Sequence, residues 1–130
     1  MKILSPKAHG VIDYVLVAVL ALGPTVLGFT GTPQMLSYGA AAALLLLSLS
    51  TAYPLGILKL VPFTWHRNVE IVIVPTLLAA PWLFQFSDDL PARNFFLVSG
   101  VIVGIVVAIT NYLNSPVHVA GGDTHGTLQR

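Results

Sequence analysis

The stretches HGVIDY (9–14) and HRNVEI (66–71) stand fifty-seven residues apart, and each leads into a long apolar run. In both, a histidine is followed four residues later by an acid: His9 and Asp13, then His66 and Glu70. The same shift lays Lys2 on Lys59, Leu20 on Leu77, Pro24 on Pro81 and Phe29 on Phe86, with Thr30 on Ser87. Shared apolar composition would match Val with Val or Leu with Leu. It would not match lysine, histidine, acid and proline at one offset. The chain is therefore expected to be a tandem repeat, with copies over about 2–52 and 59–113.

The runs between these stretches define the environment. The chain has 130 residues, 55% hydrophobic and 8% charged, against roughly 25% charged in soluble domains. Residues 14–58, 71–87 and 94–122 hold no Lys, Arg, Asp or Glu. Uncharged apolar stretches of about 18 residues or more read as membrane spans. Gly and Pro divide them into four: about 9–28, 35–52, 67–86 and 93–113. No ten-residue alternating pattern supports barrel strands. The expected fold is all-α: a polytopic membrane protein of four transmembrane helices, built as two tandem helical hairpins. Residues 1–114 form one domain, and 115–130 a polar, Gly-rich, flexible tail. Ala21-Leu22-Gly23 resembles a signal-peptide cleavage site, but Pro24 follows it, so the first span is read as retained.

Two spans per copy is an even number, so both copies run the same way through the bilayer, related by a pseudo-two-fold axis along its normal. Lys2, Lys7, Lys59, Arg67 and Arg130 fall on one side and Arg93 on the other. By the positive-inside rule both termini and the 53–66 connection are cytoplasmic. That connection, YPLGILKLVPFTWH, is apolar and is expected to lie along the interface, with Tyr53 and Trp65 at headgroup level. Ser5-Pro6 is a good helix start, and Thr64 is the corresponding candidate cap in the second copy. Pro24 and Pro81 are expected to bend their helices and to free the carbonyls of Leu20 and Leu77; Pro75 would free that of Ile71. Trp82 suits an interface anchor. Gly39-Ala-Ala-Ala-Ala43 and Gly100-x-x-x-Gly104 suit close helix approach.

The second copy contains AAPWLFQFSDDLPARN (79–94). This resembles the SPW-repeat family of small bacterial membrane proteins, whose repeat is a pair of spans with Ser-Pro-Trp late in the first and an Asn opening the second. Pro81, Trp82, Phe86, Ser87, Asp88 and Asn94 match; Ala80 stands for the motif serine and Gln85 for the usual glycine. The first copy keeps Gly23-Pro24-Thr25 and Gly28-Phe29. The resemblance covers about residues 9–112 and implies the two-hairpin architecture and a bacterial inner membrane. It implies no activity and lends no catalytic residue.

For the polar cluster His9, Asp13, His66 and Glu70, three readings compete. One is a cytoplasmic-side structural cluster, with His–acid hydrogen bonds within each helix and Lys or Arg nearby. The second is a haem or metal site with His9 and His66 as symmetric ligands. The third is a proton or ion pathway, weakened because no ionisable residue lies at mid-depth in any span. In the tail, His118, Asp123 and His125 form a weaker chelating set. Net charge of +1 and no basic patch exclude nucleic acid. The absence of cysteine excludes thiolate ligands and disulfides, and no phosphate loop, HExxH or GxSxG occurs. The expected role is non-catalytic: a structural or accessory subunit in contact with lipid, packing against itself as a homo-oligomer or against a larger membrane complex. The alternative is a cofactor-, metal- or ion-binding membrane protein, and a small transporter comes third.

Overall fold

A computed structural model describes residues 2–113 and 116–120. Four helices follow one another: α1 (Pro6–Leu27), α2 (Thr32–Ser50), α3 (Phe63–Leu83) and α4 (Leu90–Ile109). Each begins three or four residues, and ends one to four residues, before the span read from hydropathy. The chain enters each helix at a turn signal, whereas hydropathy registers only the apolar stretch. Ser5 caps α1 by accepting from the Ala8 N–H, and Pro6 opens it. Asp89 caps α4 in the same way through Ala92. Thr64 is not a cap: α3 starts one residue earlier at Phe63, with Pro62 at the cap position and no side-chain bond.

Helices of 22, 19, 21 and 20 residues are about 28–33 Å long, close to a hydrocarbon core of about 30 Å. α1, α2 and α4 are apolar enough to span on composition alone. α3 has the length but carries His66, Arg67 and Glu70. Its exposed Trp65 and Trp82 lie about 26 Å apart along its axis, the spacing of two interfacial belts. The bundle turns many large side chains outward, among them Val26, Leu46, Val72 and Leu83, as lipid contact requires.

Packing is closest within each hairpin, α1 on α2 and α3 on α4, and sparse where the hairpins meet. Gly100 sets the approach in the second hairpin: a methyl group there would stand 2.8 Å from Leu78. The Gly100-x-x-x-Gly104 pattern thus serves packing within the chain. Near the loop end, Phe29, Leu77, Phe86 and Phe96 form one apolar cluster, and Leu20, Ala41 and Leu44 a second.

The motif prolines end their helices in parallel ways. Phe29 N–H and Phe86 N–H reach back five residues to the carbonyls of Pro24 and Pro81, at 3.1 and 2.8 Å. The residue before each phenylalanine takes a left-handed conformation, Gly28 at φ 75° and Gln85 at φ 58°. The Leu20 carbonyl freed by Pro24 receives a buried hydrogen bond of 2.6 Å from Ser37, as a broken helix in lipid demands. Trp82 points outward, 57% exposed.

The two copies do not keep one offset throughout. α1 and α3 match at fifty-seven residues. α2 and α4 match at fifty-nine, because the α3–α4 turn holds two more residues than the α1–α2 turn. Thr51 thus corresponds to Thr110 and Tyr53 to Tyr112, as the paired bridges Thr51–Val61 and Leu4–Thr110 show. Gly100 then corresponds to Ala41, and Gly104 to Leu45. Tyr53 is not at headgroup level: it is fully buried, because the 51–62 connection folds back under the bundle. Of the expected tail, 116–120 is described, and there the Ala120 N–H bonds to the Lys59 carbonyl; residues 121–130, with Asp123 and His125, lie outside the described residues.

Candidate metal centre

His9 and Asp13 lie one helical turn apart on α1, and His66 and Glu70 one turn apart on α3, so each pair shares a helix face. Both faces turn to the pseudo-two-fold axis. All four side chains converge and none is more than 4% exposed. Sequence fixes their pairing and depth; the structure adds that the pairs face one another.

The geometry is compact. His9 Nε2 lies 3.5 Å from His66 Nε2. His9 Nε2 is 3.3 Å from Asp13 Oδ1 and 3.4 Å from Glu70 Oε1. His66 Nε2 is 3.4 Å from both Asp13 Oδ2 and Glu70 Oε1. The His–acid contacts are therefore not confined to single helices: each histidine touches its own acid and that of the other hairpin. Among the described residues, no Lys or Arg forms an ion pair with either acid; Arg67 instead lies 5.7 Å over the ring of Tyr112.

A second layer fixes the ring orientations. Thr51 Oγ1 is 2.8 Å from His66 Nδ1, and Thr110 Oγ1 is 2.9 Å from His9 Nδ1. Each threonine hydroxyl also donates to the carbonyl one turn before it, Leu47 or Val106, at 2.6 Å. A hydroxyl has one proton. With that proton on the carbonyl, the threonine accepts from Nδ1–H, and the hydrogen-bond network assigns the proton to Nδ1 in both rings. Nε2 of each ring is left facing the centre, a lone pair when the ring is neutral and a donor to the acids when it is protonated. The acids are held in turn: Tyr53 donates to Asp13 Oδ2 at 3.1 Å, with Ser48 at 3.4 Å, and Tyr112 donates to Glu70 Oε2 at 2.7 Å. Burial, then the nearby Asp13 charge, push the Tyr53 phenol above its ordinary range; burial and Glu70 do the same to Tyr112. Both phenols remain donors.

The threonines, tyrosines and Ser48 bond to the four central side chains, and the fixed offset misses them. A readable signal exists, Thr-x-Tyr at 51–53 and again at 110–112. Gly10 belongs with them: a methyl group there would meet the Tyr53 ring at 2.9 Å. Phe63 lies against both histidines, ring centroids 5.1 and 5.8 Å away, and closes the centre together with Tyr53 and Tyr112.

Two nitrogen lone pairs and two carboxylates facing one another repel unless a cation lies between them. In tetrahedral zinc sites, ligand atoms at about 2.0–2.2 Å from the metal stand about 3.3–3.6 Å from each other. The histidine–histidine and histidine–acid distances of 3.3–3.5 Å fall in that range, with Asp13 meeting His9 through Oδ1 and His66 through Oδ2. One ligand atom from each of the four residues lies within 4.8 Å of the others, a group able to hold a metal ion. Haem does not fit. The two Nε2 atoms stand 3.5 Å apart with Asp13 and Glu70 oxygens 3.3–3.4 Å from them, which leaves no room for a porphyrin.

The fold and centre together define a class: a helical membrane protein of two tandem hairpins sharing one buried polar centre on their symmetry axis. The family model of the SPW repeat domain matches residues 7–114, and the chain belongs to that family. Neither curated proteins nor solved structures give a match.

Proposed function

We propose that this protein binds one divalent metal ion, of zinc type, between its hairpins through His9, Asp13, His66 and Glu70. The observation that carries the reading is the pair of threonine hydroxyls, each spent on a helix carbonyl, which turn both Nε2 atoms toward two carboxylates at 3.3–3.4 Å. Two neutral imidazoles, two carboxylates and a divalent ion form a neutral set, which suits a buried site. Protonating both rings would place two imidazolium nitrogens 3.5 Å apart, a like-charge contact that burial strengthens. Second-layer donors on every ligand are the usual companions of a metal site. Four protein ligands close a tetrahedral shell, the arrangement of structural rather than catalytic zinc. The ion's role is then to cross-link two hairpins that otherwise meet sparsely, and the protein is non-catalytic.

Elemental analysis of protein purified in mild detergent without added metal tests this. About one zinc-type ion per chain, lost in His66→Ala, is expected. A metal-free preparation that takes up no Zn²⁺ or Co²⁺ on titration would overturn it.

The orientation follows from charge. Lys2, Lys7, Lys59 and Arg67 lie at the end of the bundle that holds the centre, Arg93 at the other. That supports a cytoplasmic centre in a bacterial inner membrane, with both termini cytoplasmic. A homo-oligomeric or accessory role in a larger complex is the second reading. It is favoured by the charge-poor lateral faces and short outer turns, which leave most of the contact area within the bilayer, and co-purification of a partner in mild detergent tests it.

A further inference from the structure

The two seams between the hairpins are related by the pseudo-symmetry, yet they are built differently. The α2–α3 seam is lined on α2 by Gly39, Ala40 and Ala43. At the matching positions of α4, fifty-nine residues on, the α1–α4 seam presents Val98, Ser99 and Ile102. Small residues leave a cleft of about 380 Å³ that passes between the hairpins to Phe96 and Val103 of α4, and that has Glu70 in its lining. The sister groove, about 490 Å³, is wider but stays superficial: Asp13, the counterpart of Glu70, does not line it. Phe95 blocks it, its ring packed onto Gly23 so closely that a methyl group there would lie 2.5 Å away. The break in symmetry gives one metal-ligating acid, and not the other, a side opening to the bilayer.

We infer, resting on the metal reading of the centre, that the α2–α3 cleft binds one long-chain molecule from the lipid phase with an uncharged hydroxyl head, a quinol or long-chain alcohol, whose hydroxyl donates to Glu70. Three observations select that chemistry. Glu70 is the only ionisable side chain among the described residues of the lining, so the cleft offers no Lys or Arg to pair with a fatty-acid or phosphate head, and four protein ligands leave the metal no open position for one. Glu70 lies seven residues into α3, about 10 Å along its axis. A charged phospholipid head would have to leave the interface to reach it, which is costly; a neutral head need not. The carboxylate keeps acceptor capacity after its bond from Tyr112, whereas the other polar lining group, Thr76, is occupied with the Val72 carbonyl. The cleft extends along α3 from Glu70 to Phe84, about 21 Å, the shape of an extended chain rather than a compact ligand.

The experiment is equilibrium binding of decylubiquinol to the full chain in phosphatidylcholine nanodiscs, with metal content measured on the same samples. Saturable binding of one molecule per chain is expected. Ala43→Ile, which installs the sister seam's residue, should weaken it about tenfold or more with metal content unchanged. Ile102→Ala, in the sister groove, should leave it unchanged. Decanoate should compete poorly. No saturable binding to metal-loaded protein, binding indifferent to Ala43→Ile, or equal competition by decanoate would each overturn the inference while the metal reading stands. Metal-free protein that still binds the quinol in an Ala43-dependent way would sink the metal reading and leave the cleft as a binding site.

Discussion

The first hairpin and the second are alike at one end and unlike along the rest of their length. At the centre each contributes a histidine, an acid one turn later, a threonine behind a histidine and a tyrosine behind an acid. The contributions interlock. Thr51 of the first hairpin orients His66 of the second, and Thr110 of the second orients His9 of the first. Away from the centre, the copies differ in turn length, in the residue at the left-handed position, in how a proline-freed carbonyl is satisfied and in the size of the side chains at the seams. Symmetry is kept where four buried polar side chains must meet. It lapses where each helix answers only to its local neighbours and to lipid.

The sharpest way to break this comparison is at the ligands. His9→Ala and His66→Ala should be equivalent, each reducing bound metal from about one ion per chain to a small fraction, as read by elemental analysis. Markedly unequal losses would mean that the centre is not a shared site. Next come the second-layer phenols. Tyr112→Phe and Tyr53→Phe should each lower metal affinity about 10–100-fold, measured by chelator competition. Tyr112→Phe should be the larger, because Glu70 takes its one second-layer bond from Tyr112 at 2.7 Å while Asp13 has Ser48 as well as Tyr53. The reverse order would show that the short bond is not the stronger one.

Smaller effects probe the unlike parts. Ser37→Ala leaves the Leu20 carbonyl without its buried donor and should destabilise the protein by about 1–3 kcal/mol, measured by denaturant unfolding in detergent. Phe96 holds the matching place in α4, so the second hairpin has no equivalent hydroxyl to remove. Smallest is Gln85→Gly. The left-handed conformation at φ 58° costs a side-chain-bearing residue about 1 kcal/mol, so the glycine should stabilise by that amount, and Gly28→Gln should destabilise by a similar one. No change in either would mean that the helix ends relax freely in the membrane.

Much of the fold is legible in sequence because it rests on local signals. Uncharged runs, Gly and Pro punctuation and one offset suffice for four helices in two hairpins. His9, Asp13, His66 and Glu70 are legible for the same reason. Their convergence is not, because which face of a helix turns inward depends on packing with the other helices. Thr51, Thr110, Tyr53 and Tyr112 escape for a different cause. A comparison at fixed offset lays Thr51 on Ala108, since the two extra residues in the second turn shift everything after it. Tyr53 misleads further: an aromatic residue next to a span end suggests the headgroup layer, but here the connection folds inward and Asp13 needs a donor.

The short bridges at the bundle's end have one more consequence. Leu4 exchanges backbone hydrogen bonds with Ile109 and Asn111, as Leu60 and Val61 bond with Ser50 and Ala52. The entry to each hairpin is thus tied to the exit of the other, and the described domain closes on itself as a ring of two links. A ring has no necessary starting point. Joining Leu113 to Lys2 through a short linker and opening the chain between Gly56 and Leu58 gives a circular permutant with every ligand, threonine and tyrosine in place. One hairpin alone would recover the centre only by pairing with a second.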